Sequence, residues 1–403
     1  MKKVLFLILI ILTILPINVD AITYPELHYK NAIVYDLTDD KILYELNSNE
    51  KKSIASLTKL MTIITAIENT EDLNKEIKYT QEMQKNVMWY ASKAGFQVGD
   101  KLTIYDLLYG AMLPSGADAT VALAIETSGT LDKFIEKMNE TAKRIGMTNS
   151  SFVNVHGLDE ENHYSTAKDI QLLLEYALEN EEFKKIYTTK EYTLSTNKLV
   201  KSTVLKQSEK LNIDTTKILG SKTGTTGNAG LCISVLMNHQ NHDIIFITLG
   251  APTTGDVPYN IEDSLELINF IENNYNNQNI KNKGKVVKKL KVKNSKINNY
   301  NIKSSKDITL FLENDYNKND IKIEYSGPNE LSYNNKKGEK IGTVKYYYQD
   351  KEIGREEIYL TTNIEADLFK IIKSNKTIII SISIIIIVMI ILLIIKKHKK
   401  RNV

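Results

Sequence analysis

The 19 residues Thr377–Ile395 carry no charge and are mostly isoleucine. At about 1.5 Å per residue, a helix of that length spans roughly 28 Å, close to the hydrocarbon thickness of a bilayer. Soluble helices are seldom apolar all round over such a length. Lys396, Lys397, Lys399, Lys400 and Arg401 follow at once, and the positive-inside rule puts such a cluster in the cytoplasm. Residues 1–21 read as a signal peptide. Lys2 and Lys3 open it, and Val4–Leu15 is apolar but too short to span a bilayer. Pro16 ends the run, and Val19-Asp20-Ala21 offers small-residue cleavage chemistry. The two ends together predict a single-pass protein of the cell membrane. Its bulk would lie on the outer face, with a transmembrane helix at 377–395 and a basic cytoplasmic tail at 396–403.

The formal net charge of +3 belongs to those ends. Two Lys and one Asp lie in residues 1–21 and five cations lie after Ile395, out of 52 Lys+Arg and 49 Asp+Glu. The remainder is mildly acidic and has no basic patch calling for nucleic acid. A hydrophobic fraction of 42% excludes a disordered chain, and 403 residues suffice for two domains. The single cysteine, Cys232, cannot form an internal disulfide. It sits in the apolar run Gly230–Leu236, which reads as a buried strand, so a packing role is expected.

Ala32–Leu37 and Ile42–Leu46 alternate about the turn Thr38-Asp39-Asp40, which predicts a hairpin. A helix begins near Ser56, with Leu57, Leu60, Met61, Ile64 and Ile67 at helical spacing. Further helices are expected at Thr103–Met112, Leu131–Ile145 and Ala167–Leu178. Strands are expected at Ile218–Thr225, Ala229–Asn238 and His242–Leu249, then a helix from Ile261 to Ile271. If the early hairpin and the late strands share one sheet, the helical block lies beside it, and the cleft between them is the natural site. This first domain is expected at 22–275. The Asn-rich stretch at 276–284 reads as a linker. Ile308–Leu312, Ile321–Tyr325 and Val344–Tyr348 read as strands of a small all-β domain at 285–362.

Three short motifs carry the chemistry: Ser56-Leu57-Thr58-Lys59, Ser115-Gly116-Ala117 and Lys222-Thr223-Gly224. Ser56 and Lys59, three apart at a helix start, share one face. A serine hydroxyl needs a base to become a nucleophile. Lysine serves if burial or a neighbouring cation lowers its pKa, and Lys222 could be that cation. The helix N-terminus adds partial positive charge where an oxyanion forms. On a strand, Gly224 would let a substrate backbone come close, and Lys222 and Thr223 could hold a terminal carboxylate. Ser115, after Pro114 on a loop between helices, could pass a proton.

Taken in order, these motifs resemble those of the low-molecular-mass penicillin-binding proteins, the serine D-Ala-D-Ala carboxypeptidases. The resemblance rests on Ala55–Thr62, Leu113–Ala119 and Gly220–Thr225, and also on Phe152–Leu158 and His163–Asp169. It covers roughly residues 25–275, and more weakly the β domain, where Gly338–Gly342 is similar. It implies an α+β fold of the β-lactamase/transpeptidase type: an antiparallel sheet flanked by helices with a helical subdomain. The small all-β domain and one transmembrane helix follow. It also implies roles. Ser56 is the nucleophile, Lys59 its base and Ser115 the relay. Lys222, Thr223, Gly224 and Thr225 bind substrate, and the N–H groups of Ser56 and Thr225 form the oxyanion hole. The substrate would be a peptidoglycan stem peptide ending in D-Ala-D-Ala, with β-lactams as inhibitors and no metal or cofactor.

One position departs from the pattern. The second motif of the family usually ends in Asn, and Ala117 stands there. Either a nearby polar group or water replaces the amide, or the enzyme is slower or specialised. Two other functions share parts of the evidence. A β-lactamase-like hydrolase needs a deacylating Glu, and Glu136 with Asn139 has the spacing. A non-catalytic peptidoglycan-binding relative would have lost residues such as the one at 117.

Overall fold

The computed structural model describes residues 24–348 and 350–401. The signal peptide expected at 1–21 lies outside them. The chain divides into two compact units, residues 1–275 and 276–403.

The first unit is built on a five-stranded sheet. Its strands are β1 (Asn31–Asp36), β2 (Lys41–Leu46), β3 (Gly220–Thr226), β4 (Gly230–His239) and β5 (His242–Ala251). The order across the sheet is β2-β1-β5-β4-β3, and every neighbouring pair is antiparallel. The early hairpin and the late strands therefore do share one sheet. On β5, successive residues from Ile244 to Leu249 are all buried, so both faces are covered and the strand reads as a continuous apolar run. The helix Ala167–Leu178 packs on β1 and β5, and Tyr259–Asn274 packs on β4 and β5. Cys232 is wholly buried, and burial pushes its thiol up to about 12. It packs, as expected.

Between β2 and β3 lies the helical block. Helix α1 (Thr58–Glu68) is its axis, and every residue from Thr58 to Ile67 is buried. Burying side chains such as Leu60 and Ile64 contributes roughly 1.5–3 kcal/mol each. Helix α2 (Ile104–Met112) begins at the expected capping box, where Asp106 N–H donates to Thr103 Oγ1 at 3.1 Å and Thr103 N–H donates back to Asp106 Oδ2 at 2.7 Å. Helix α3 (Ala117–Ser128) was not expected. Its residues Ala117–Ala124 are all buried, so it lacks the one-sided stripe by which an amphipathic helix is read. The short helices Glu181–Thr188 and Thr203–Leu211 also went unread.

The second unit is β-rich. One three-stranded sheet orders Asn299–Lys303, Val286–Lys293 and Glu330–Ser332. Another orders Ile321–Ser326, Lys340–Tyr348 and Lys351–Tyr359. The linker expected at 276–284 is corrected. Strand Tyr275–Lys281 occupies most of it and pairs with Ile308–Glu313. Its strand pattern is hidden because the half-buried positions after Tyr275 are Asn276 and Gln278, which are as polar as the exposed Asn277 and Asn279. The closing helix, Lys376–Arg401, is long and apolar enough over Ile379–Lys397 to cross a membrane, and none of that window is buried in the protein. It fits a membrane anchor.

Candidate active site

Sheet and helical block meet at Ser56. A 3₁₀ turn, Ala55–Leu57, leads into α1 and lies against β3. Ala55 has a left-handed φ of 46°, a strained value for a residue with a Cβ. Two glycines make room for this turn. A side chain at Gly224 would come to 2.9 Å from Ala55 Cβ and from Ser56 N. One at Gly157, whose φ is +84°, would come to 1.9 Å from Ala55 O. Gly224 was expected to admit a substrate backbone. Its open side admits the turn that carries Ser56.

Lys59 Nζ donates to Ser56 Oγ at 2.7 Å and to the backbone carbonyl of His156 at 2.6 Å. It is 2% exposed, while Ser56 is half-buried at the opening. Burial pushes the Lys59 ammonium down to about 7, against a smaller upward pull from Asp118. Lys222 Nζ donates to Ser115 Oγ at 2.8 Å and to the carbonyl of Thr223 at 2.8 Å. Burial, and then the charge of Lys59, hold Lys222 well below the usual lysine range. Two lysines this deep cannot both carry charge cheaply. Ser115 sits between α2 and α3 with a left-handed φ of 63° and is 5% exposed. The four motif side chains thus come together as Ser56–Lys59 and Ser115–Lys222. Lys222 stands on Ser115, and Thr223 and Thr225 line an adjoining cavity of about 220 Å³ with Lys210 and Asn260.

Several positioning groups went unread. Val153 N–H donates to His163 Nδ1 at 3.2 Å, so Nε2 carries the proton and donates to Thr58 Oγ1 at 2.8 Å. Thr58 in turn donates to Ala55 O at 2.9 Å. The imidazole thereby props the turn that carries Ser56. Burial pushes both His156 and His163 down to about 4, so neither ring is charged near neutral pH. Asn154 Oδ1 accepts from Gly157 N–H at 2.7 Å and shapes the loop that presents the His156 carbonyl. The sequence did flag Phe152–Leu158, but its contribution is a backbone oxygen, which no residue type announces. At Ala117 the missing amide leaves Lys59 with the His156 carbonyl as an acceptor. Asp118 next to it accepts from the N–H groups of Ala94 and Gly95, both at 2.7 Å. Glu136 is exposed on its helix, and Asn139 is engaged with Phe152 N–H at 3.0 Å. Asn139 is a loop anchor here.

Among the described residues, Asp36, Asp39 and His242 have donor atoms within 4.8 Å of one another. Their bonds belong to the hairpin: Asp36 accepts from Thr38 N–H and pairs with His242 Nδ1 at 2.9 Å.

The profile of the D-alanyl-D-alanine carboxypeptidase family matches residues 18–253. The chain belongs to this family. The profile of the penicillin-binding protein 5 C-terminal domain matches residues 275–366. D-alanyl-D-alanine carboxypeptidase DacF of Bacillus subtilis is 30% identical over 345 residues, 85% of this chain and 78% of that one. DacC of Escherichia coli is 33% identical over 240 residues, 57% of this chain and 58% of that one. Among solved structures, penicillin-binding protein 5 of Haemophilus influenzae superposes with a TM-score of 0.63 at 25% identity, over 86% of this chain and all of that one. The Streptomyces K15 DD-transpeptidase superposes with a TM-score of 0.55 at 25% identity, over 62% and 98%. A carboxypeptidase of this family is a serine peptidase, so the Ser56–Lys59 contact is where its chemistry is sought.

Proposed function

We propose that this protein is a penicillin-binding serine carboxypeptidase that removes the terminal D-alanine from peptidoglycan stem peptides, with Ser56 as its nucleophile. The observation that carries this is the 2.7 Å contact between Ser56 Oγ and a buried lysine whose pKa is pushed down to about 7. In its neutral form Lys59 accepts the hydroxyl proton as Oγ attacks the penultimate D-Ala carbonyl. The N–H groups of Ser56 and Thr225 stabilise the oxyanion. Ser115, held by Lys222, delivers the proton to the departing amine of D-alanine. Thr223 and Thr225 hold the terminal carboxylate at the mouth of the cavity, with Lys222 contributing its field from behind. Water then frees the acyl group from Ser56. A β-lactam enters the same first step and stays on the serine.

In this reading residues 1–21 direct export and 22–275 carry the catalytic work. Residues 285–362 form a spacer, 377–395 span the membrane, and 396–403 remain in the cytoplasm. The catalytic unit would face the wall. D-alanine released from a D-Ala-D-Ala pentapeptide by the full-length protein is the test. Release that disappears in Ser56→Ala supports the assignment. Undiminished release in that variant overturns it.

A further inference from the structure

Trp89 is the only tryptophan in the chain and is 85% exposed. Its neighbour Tyr90 is 59% exposed and meets it edge to face, with ring centroids 5.5 Å apart. Both occupy the centre of a tight turn closed by Ala91 N–H donating to Met88 O at 3.1 Å. Such positions favour Gly, Pro, Asn and Asp, each for a backbone reason. Two large aromatic rings there, with Met88 49% exposed beside them, form a contiguous exposed apolar patch. Patches of this kind mark binding sites.

The turn is tied to the catalytic machinery. Three residues on, Ser92 O accepts from Ala117 N–H at 2.7 Å, at the end of the Ser115 motif. Ala94 and Gly95 are then fixed on Asp118. The aromatic pair is therefore tethered within about 11 Å of chain of Ser92, which is bonded to the Ser115 motif. It does not line the cavity beside Thr223 and Thr225, where the carboxylate end of the substrate is placed. It is left to the other end of the stem peptide. An extended peptide of four residues reaches up to about 14 Å from the serine, a span comparable to that tether, and beyond the peptide lies the group that carries it. That group is an amino sugar, whose ring has a face of C–H bonds. The electron-rich face of an indole attracts such polarised C–H edges and offers a large, rigid contact area.

We propose that Trp89, supported by Tyr90, stacks on the pyranose ring that carries the stem peptide, so that the enzyme reads the glycan as well as the D-Ala-D-Ala end. This rests on the carboxypeptidase reading above. The test uses full-length protein in nanodiscs and two substrates: a free pentapeptide, and the same pentapeptide on its disaccharide. For Trp89→Ala, kcat/KM on the disaccharide substrate is expected to fall roughly tenfold through KM, while the free pentapeptide stays within about twofold. Trp89→Phe should restore most of the loss. An equal fall on both substrates would place the ring on the peptide, and no fall on either would remove it from recognition. Both results overturn the proposal. Because Trp89 is the sole tryptophan, its fluorescence also reports binding of the disaccharide alone, with no catalysis required. A saturable shift is expected, and its absence overturns the proposal. If neither substrate releases D-alanine while the fluorescence shift persists, the carboxypeptidase reading has failed and sugar binding has not.

Discussion

Lysine stands in two opposite settings in this molecule, one confined to the motif residues of the catalytic unit and the other found on the surfaces of both units. In the catalytic unit, Lys59 and Lys222 are buried and donate to hydroxyl and carbonyl oxygens. In the C-terminal unit, Lys340 and Lys322 stand in water paired with Glu357 and Asp350, and Lys345 pairs with Glu352 at 3.1 Å. Burial lowers the first pair. The hydrogen bond to a carboxylate raises Lys340, Lys322 and Lys345. The same side chain is thus a proton acceptor in the proposed mechanism and a solvated charge elsewhere. Exposed pairs of the second kind contribute little to stability. Buried unpaired cations of the first kind cost stability, and such a cost persists where function requires it.

The largest expected contrast comes from removing one lysine of each kind. Lys59→Met should slow penicillin acylation by about 10³-fold or more, the scale of a lost general base, while Tm holds or rises because a buried cation has gone. A fall in Tm beyond about 5 °C would show that Lys59 is a structural support. Next comes the platform. Gly157→Ala drives a Cβ into Ala55 O and leaves alanine at φ +84°. Misplacing the nucleophile by about an ångström costs on the order of a hundredfold in acylation. A rate within threefold of wild type would mean the turn is free to shift.

The pH profile is third. With Lys59 at about 7, acylation rises with pH as the amine loses its proton, by roughly fifty-fold from pH 5 to 7, then levels above about 8. The buried histidines, at about 4, do not titrate in that window. Stability carries the same sign in a higher window. Between about 7 and the ordinary lysine value of 10.5, the unfolded chain binds the extra proton, so stability from this group rises with pH. Above 10.5 Lys340 contributes with the opposite sign, because its raised pKa favours the protonated folded state and that contribution is lost as pH rises through it. A rate independent of pH from 5 to 8 would break the comparison.

Two small effects close the series. Ala117→Asn is expected to leave acylation flat or lower, because the His156 carbonyl already engages Lys59 at 2.6 Å. A tenfold gain on penicillin and on a D-Ala-D-Ala peptide would show an incomplete site. Lys340→Ala should leave acylation unchanged and move Tm by no more than about 2 °C.

What could be read from the chain follows the same division. Ser56 and Lys59 stand out only when the three motifs are taken together in order, and the sheet strands by their apolar runs. Helix α3 is silent because its first eight residues are buried on every side, and Tyr275–Lys281 because Asn276 and Gln278 stand at its half-buried positions. The oxygen that holds Lys59 belongs to a backbone, and the partner of Gly224 is a turn far away in sequence. Side-chain chemistry is written in residue types, whereas backbone groups and close approaches exist only once the chain is folded.

The most direct measurement locates the acyl group. Full-length protein is incubated with penicillin at about pH 8, digested, and read by mass spectrometry. A single penicilloyl adduct on Ser56 is expected, absent in Ser56→Ala and slower to form in Ser115→Ala. An adduct on Ser115, or undiminished labelling of Ser56→Ala, would contradict the assignment of the nucleophile.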